Sequence, residues 1–168
     1  SSNPRVKLIY LCNPNNPTTT VIPQKIIEKI VKNSQCIIVI DEAYREFYGK
    51  NSLFLLKKYD NVVILRSFSK FGAMAGARIG YLITNKYLSR KFDGIRFPMG
   101  VSYLSYKLAE TVLEKDLDWI KSQVEMIKME RNRLIKNLQQ CGFFVLPSQT
   151  NFLLVKVGGK ANELCQKL

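Results

Sequence analysis

The chemistry in this chain concentrates in one stretch, Arg66-Ser-Phe-Ser-Lys-Phe-Gly-Ala-Met-Ala-Gly-Ala-Arg-Ile-Gly-Tyr81. Two small hydroxyls, Ser67 and Ser69, precede a single lysine, Lys70; three glycines (Gly72, Gly76, Gly80) and Arg78 follow. A lysine amine can form an imine with an aldehyde, and hydroxyls, loop N–H groups and a guanidinium can hold a phosphate. The stretch therefore suits a phosphorylated aldehyde. A solvated lysine in a glycine-rich loop is the plainer alternative, and these residues alone leave both open.

Two further clusters sit at the ends of apolar runs. Val6–Cys12 reads as a buried strand that stops at Asn13-Pro-Asn-Asn-Pro-Thr18, where two prolines and three asparagines enforce a rigid turn. Cys36–Ile40, apolar throughout, reads as a strand covered on both faces and ends at Asp41-Glu-Ala-Tyr44. An acid placed straight after such a strand costs desolvation energy unless a cation meets it; capping a following turn is its other use. The third run, Val62–Leu65, leads into the lysine stretch. Strands alternating with helices imply a parallel sheet, in which all three tips open on one crevice.

The elements that must position these tips follow from pattern. Pro23 suits the first position of a helix to about Lys32, with Ile26, Ile27, Ile30 and Val31 inward. A short amphipathic segment spans Ser52–Lys58. Ile79–Ile83 reads as a strand reached by too short a link for a crossover, hence antiparallel. Helices are expected at Tyr103–Glu114 and Asp116–Gln140, the second with Leu117, Ile120, Val124, Ile127, Leu134 and Leu138 as a packing stripe interrupted by Arg131. Gly142 suits the position just past its end. Phe143–Leu146 and Phe152–Val157 read as two strands of a second small sheet. A domain boundary is therefore expected inside the long helix. The last residues, from Ala161 to Leu168, read as a helix cut off after two turns, and the opening as an interior piece of something longer.

Composition narrows the classes. The chain has 168 residues, 46% hydrophobic and 23% charged, as in ordinary globular proteins. No apolar run reaches the ~18 residues of a membrane span, and no signal peptide opens the chain. It has no histidine, which excludes a Ser–His nucleophile pair and a histidine-ligated zinc site. Four widely spaced cysteines read as reduced core thiols of a cytoplasmic protein. The net charge of +13 raises a polyanion partner such as nucleic acid, but the lysines are scattered over every polar face, so a lysine-heavy composition accounts for it.

Together, the Asn13–Thr18 turn, Asp41-Glu-Ala-Tyr44 with Glu46-Phe47, and Arg66-Ser-Phe-Ser-Lys70 with Arg78-Ile-Gly-Tyr81 resemble the fold type I, class I/II pyridoxal-phosphate-dependent aminotransferases. The resemblance is closest to the histidinol-phosphate aminotransferase group. The stretches Phe97–Ser105 and Pro147–Phe152 fit the same pattern in the same order. The resemblance implies an α/β fold: a three-layer large domain with a mostly parallel sheet and one antiparallel strand, over residues 1–125. Residues 126–168 would form part of a small α+β C-terminal domain.

The resemblance also implies roles. Lys70 would carry pyridoxal 5'-phosphate as an imine and then move protons. Asp41 would pair with the pyridine nitrogen. Tyr44 and Asn16 would bond the ring's 3-oxygen, and Ser67, Ser69 and Arg78 the phosphate. The Asn16–Pro17 bond would be cis, the partners an amino donor and a 2-oxo acid, and the assembly a homodimer. Three positions depart from the pattern: Thr19 where glycine is usual, Met99 for tyrosine and Gly100 for asparagine. The family subunit is considerably longer, so the first phosphate loop, the ring-stacking aromatic, a tyrosine lent across the dimer and the carboxylate-binding arginine would lie outside this chain.

The reading that follows is transamination between histidinol phosphate and 2-oxoglutarate in histidine biosynthesis. Threonine-phosphate decarboxylase and aromatic aminotransferase are alternatives of the same fold. A catalytically incomplete piece with only partial cofactor binding is the alternative of another class.

Overall fold

The computed structural model describes residues 3–96 and 98–167. Ser1, Ser2 and Leu168, on which the reading of the two ends rests in part, and Phe97 of the Phe97–Ser105 stretch lie outside them. Four strands form one sheet: Leu8–Cys12 (β1), Ile37–Asp41 (β2), Val62–Ser67 (β3) and Gly80–Thr84 (β4), in spatial order β1-β2-β3-β4. β1, β2 and β3 are parallel, and β4 pairs antiparallel with β3, as the short link before it requires. The fold is the expected mostly parallel α/β arrangement with one antiparallel strand.

One face of the sheet is closed. The helix Gln24–Lys32 (α1) and a 3-10 turn at Leu53–Lys57 lay Ile27, Val31 and Leu55 on Ile38, Ile40, Val62 and Ile64, all with 0–1% exposure. Burying each such side chain stabilises by about 1.5–3 kcal/mol before entropy is counted. Pro23 stands one residue outside α1, and Ile26 faces outward at 47% exposure, so two inward isoleucines (Ile27, and Ile30 at the core margin) carry the packing with Val31.

The other face is only partly closed. A helix at Lys86–Ile95 (α3), which the pattern reading passed over, is started by Asn85, whose side chain accepts from the Leu88 N–H. It sets Leu88 and Phe92 over Val39, Val63 and Leu65. It does not reach β1. Leu8 and Tyr10 stay about half exposed there, which corrects the expectation of a buried first strand: β1 is an edge, and only Ile9 and Leu11 turn to the closed face.

Beyond the strand tips lie a single turn, Arg45–Tyr48 (α2), and two long helices, Tyr103–Lys115 (α4) and Leu117–Gln140 (α5). Ile120 and Val124 are buried, and Val124 packs on Tyr44 and Phe47; Ile127 and Leu134 are exposed, so the expected stripe is used only over its first half. Arg131 explains the interruption: its guanidinium donates to the carbonyls of Thr150 (2.9 Å) and Phe47 (3.5 Å). Burial holds that guanidinium below its ordinary pKa. Gly142 ends α5 at φ +82°, a conformation that favours glycine. Phe144–Val145 (β5) and Val155–Lys156 (β6) pair antiparallel as a second, small sheet, shorter than the pattern suggested, and Ala161–Lys167 forms a final helix (α6).

All four cysteines are free, but only Cys36 is buried; Cys141 and Cys165 are exposed, against the expectation of core thiols. No helix among the described residues is long and apolar enough to cross a membrane.

Candidate functional site

Parallel register places Cys12 opposite Asp41, and Asp41 opposite Leu65, so the turn after β1, the acid ending β2 and the Ser-x-Ser-Lys segment after β3 meet at one end of the sheet. A crevice of about 520 Å³ opens there, walled by Asp41, Ser67, Ser69 and Arg78 with Arg66 and Tyr81 beside them. Gly80 lets β4 close up on β3: a Cβ there would stand 2.7 Å from the Arg66 carbonyl oxygen. The close approach brings Arg78 to the crevice rim, in the left-handed region at φ +50°, where its guanidinium also donates to the Ala75 carbonyl (3.0 Å).

Around Tyr44 a second group forms. Its hydroxyl accepts from the Asn16 side-chain amide (3.1 Å), and the Lys70 ammonium nitrogen lies 5.5 Å from its ring centre. Phe152 meets the ring edge-on at 5.4 Å. Tyr44 is buried, whereas Lys70, Asn16 and Arg78 reach solvent. Both Asn13–Pro14 and Asn16–Pro17 are cis; the second was expected. Ser67 turns back to accept from the Ser69 N–H (3.0 Å), which fixes the loop just before Lys70. Every residue singled out in the sequence thus lies at one end of the sheet, in two adjoining groups.

The two carboxylates of the Asp41-Glu42 pair have separate fates. Asp41 Oδ1 accepts from the Ala43 N–H (2.9 Å), the turn-capping role, while Oδ2 takes the Tyr10 hydroxyl. Glu42 is buried and accepts from the Ser52 N–H (2.5 Å) and from Nε and a terminal nitrogen of Arg66 (3.1 and 2.9 Å). Burial pulls the Arg66 guanidinium down, but Glu42 and Tyr81 outweigh it and leave its pKa above the ordinary value.

Pattern reading missed Tyr10, the Glu42–Arg66 pair and the anchoring of Thr19. The signal for Tyr10 and the Glu42–Arg66 pair is cross-strand register, visible only once β1, β2 and β3 are aligned; the Thr19 anchor joins two segments outside the sheet, far apart in sequence. Thr19 does take the glycine-like conformation, φ +61°, although threonine is β-branched. It is fully buried, and its hydroxyl donates to the Pro147 carbonyl (2.9 Å) while its own carbonyl accepts from the Gln149 N–H (3.1 Å). Those bonds tie the Asn-Pro turn to the segment carrying Phe152.

Chemically, the donor set suits a phosphorylated pyridine aldehyde: an amine, a carboxylate in the crevice, and hydroxyls and a guanidinium on one wall. The residues present fit such a group.

Comparison with known proteins agrees. The family model for class I and II aminotransferases matches residues 1–168. A histidinol-phosphate aminotransferase of Clostridium novyi is 42% identical over 163 residues, 96% of this chain and 45% of that protein. The solved histidinol-phosphate aminotransferase of Sinorhizobium meliloti, in complex with pyridoxal-5'-phosphate, is 32% identical with a TM-score of 0.83, over 93% of this chain and 44% of that one. The L-threonine-O-3-phosphate decarboxylase of Porphyromonas gingivalis is 26% identical with a TM-score of 0.83, over 95% of this chain and 50% of that one. The chain thus spans about half the length of the curated relatives it matches. From the three strand tips to the small sheet, this chain belongs to the class I and II aminotransferase family.

Proposed function

We propose that this chain carries the central part of a pyridoxal-phosphate-dependent aminotransferase that uses histidinol phosphate and 2-oxoglutarate, in the cytoplasm and as a homodimer, in histidine biosynthesis. The observation that carries the reading is the convergence of Lys70, Asp41, Tyr44 with Asn16, and Ser67, Ser69 and Arg78 at one end of the sheet. The identity of 42% to a histidinol-phosphate aminotransferase supports the substrate. Residues 1–125 would belong to the large domain and 126–168 to the small one.

When bound, the cofactor supplies an electron-withdrawing ring that stabilises negative charge at the substrate's α-carbon. Lys70 Nζ would anchor its aldehyde and is placed as the base that would move the substrate's α-proton. Asp41 would hold a proton on the ring nitrogen. Asn16 and Tyr44 would donate to the ring oxygen, and Ser67, Ser69 and Arg78 would hold the phosphate dianion by charge-assisted bonds.

The test is to add pyridoxal phosphate, reduce with borohydride and map the modified residue by mass spectrometry, with Lys70→Ala beside the wild type. Labelling of Lys70 is the expected result. Scattered labelling of surface lysines, unchanged in the variant, overturns the reading for this chain. Threonine-phosphate decarboxylation is the second reading, supported by the 26% identical solved relative; release of CO2 from threonine phosphate by the whole enzyme would select it.

A further inference from the structure

Tyr10 is oddly placed for a core residue. It lies on the edge strand β1, on the face that α3 leaves uncovered, at 53% exposure. Phenylalanine would fill that position as well by packing alone; the hydroxyl is what differs. That hydroxyl donates to Asp41 Oδ2 on the next strand. The register makes the reach possible, because Cys12 stands opposite Asp41 and Tyr10 shares the face of Cys12 two residues before it. With the Ala43 N–H on Oδ1, both oxygens of the carboxylate that walls the crevice are held from fixed backbone positions.

We propose that Tyr10 is a positioning residue for Asp41: its phenol locks the carboxylate rotamer toward the crevice and leaves Oδ2 a second lone pair for the proton of a bound pyridinium. An ionised carboxylate oxygen accepts more than one bond, so the two donors do not compete for one site. Burial, the bond to Asp41 and the charges of Asp41 and Cys12 together push the Tyr10 phenol well above its ordinary pKa, so it remains a donor throughout the neutral range. This inference rests on the cofactor reading above, and its test separates the two.

The first measurement needs no cofactor. The chain labelled with 13Cζ-tyrosine is titrated by NMR as wild type and as Asp41→Asn. The expected result is a Tyr10 resonance that titrates above the ordinary tyrosine range and moves down in the variant. A Tyr10 titration indifferent to Asp41→Asn overturns the proposal. The second measurement is the affinity for pyridoxal phosphate and the site of borohydride labelling in Tyr10→Phe. Roughly five- to tenfold weaker binding, with Lys70 still the labelled residue, is expected for loss of a bond to a charged group at a half-exposed position. Wild-type affinity in Tyr10→Phe overturns the positioning role. Absence of Lys70 labelling in the wild type overturns the cofactor reading and the role toward it, while the NMR result still decides whether Tyr10 holds Asp41.

Discussion

Asp41 and Glu42 are consecutive, yet they leave β2 on opposite sides of the sheet and meet opposite environments. Glu42 turns to the closed face, 2% exposed, with both carboxylate oxygens bonded to Ser52 and Arg66. Asp41 turns to the open crevice, where its carboxylate accepts from the Ala43 N–H and the Tyr10 hydroxyl. One carboxylate fastens strand tips together; the other is presented. The difference shows how alternation along one strand sets one of two adjacent carboxylates into a buried ion pair and the other at an open crevice.

Breaking this contrast should give effects of graded size. Glu42→Ala leaves Arg66 buried without its carboxylate and should cost about 3–5 kcal/mol of stability in urea unfolding. Asp41→Ala, at a half-open position, should change stability by no more than about 1 kcal/mol. Equal losses would mean that the two faces are not energetically distinct. Along the apolar part of the same sheet, Leu55→Ala should destabilise by about 2–5 kcal/mol, because Leu55 is fully buried on the closed face. Leu8→Ala, 50% exposed on the open face, should stay within about 0.5–1 kcal/mol by the same assay.

Thr19 sharpens the comparison at the turn. Thr19→Ala keeps the left-handed backbone but loses the hydroxyl bond to Pro147, and should cost about 1–3 kcal/mol. Thr19→Gly loses the same bond yet relieves about 1–2 kcal/mol of backbone strain, and should fall within about 1 kcal/mol of wild type. A glycine variant less stable than the alanine one would contradict the conformation seen here. The smallest effect concerns pH. Tyr10 has a raised pKa in the folded state, so its contribution is fully present below the unfolded value near ~10 and declines as pH rises through the folded one. Tyr10→Phe should therefore show a shallower loss of thermal stability above pH ~10 than wild type.

Much of this organisation was legible in the chain. Apolar runs ending in Asp41 and in Ser-x-Ser-Lys70 announced strands whose tips meet at one crevice, and the nine residues between Lys70 and Gly80 were too few for a helical crossover, which fixed β4 as antiparallel. The residues that escaped are those whose partners lie on another strand or another face. Tyr10 resembles any strand aromatic until the register sets it beside Asp41. Helix α3 packs mainly through Leu88 and Phe92, too sparse an apolar pattern among its charges to stand out, although Asn85 does mark its start. Ile26 carries the same side chain as Ile27, and only the angle at which α1 lies on the sheet separates exposed from buried. At Thr19 composition misleads outright: the fold demands a glycine-like dihedral and the surrounding hydrogen bonds impose it on a threonine.

The bond from Thr19 to Pro147 joins residues 128 positions apart. A ribosome delivers β1, Asp41, Tyr44 and Lys70 in the first half of the chain, and the sheet can pair as soon as β4 emerges. Phe152, which flanks Tyr44, and the Pro147 carbonyl arrive only after both long helices. Contacts of such separation form late because the intervening loop must close first. A segment made much later thus completes the wall beside Tyr44, and the nascent chain carries Lys70 and Asp41 before that wall is in place.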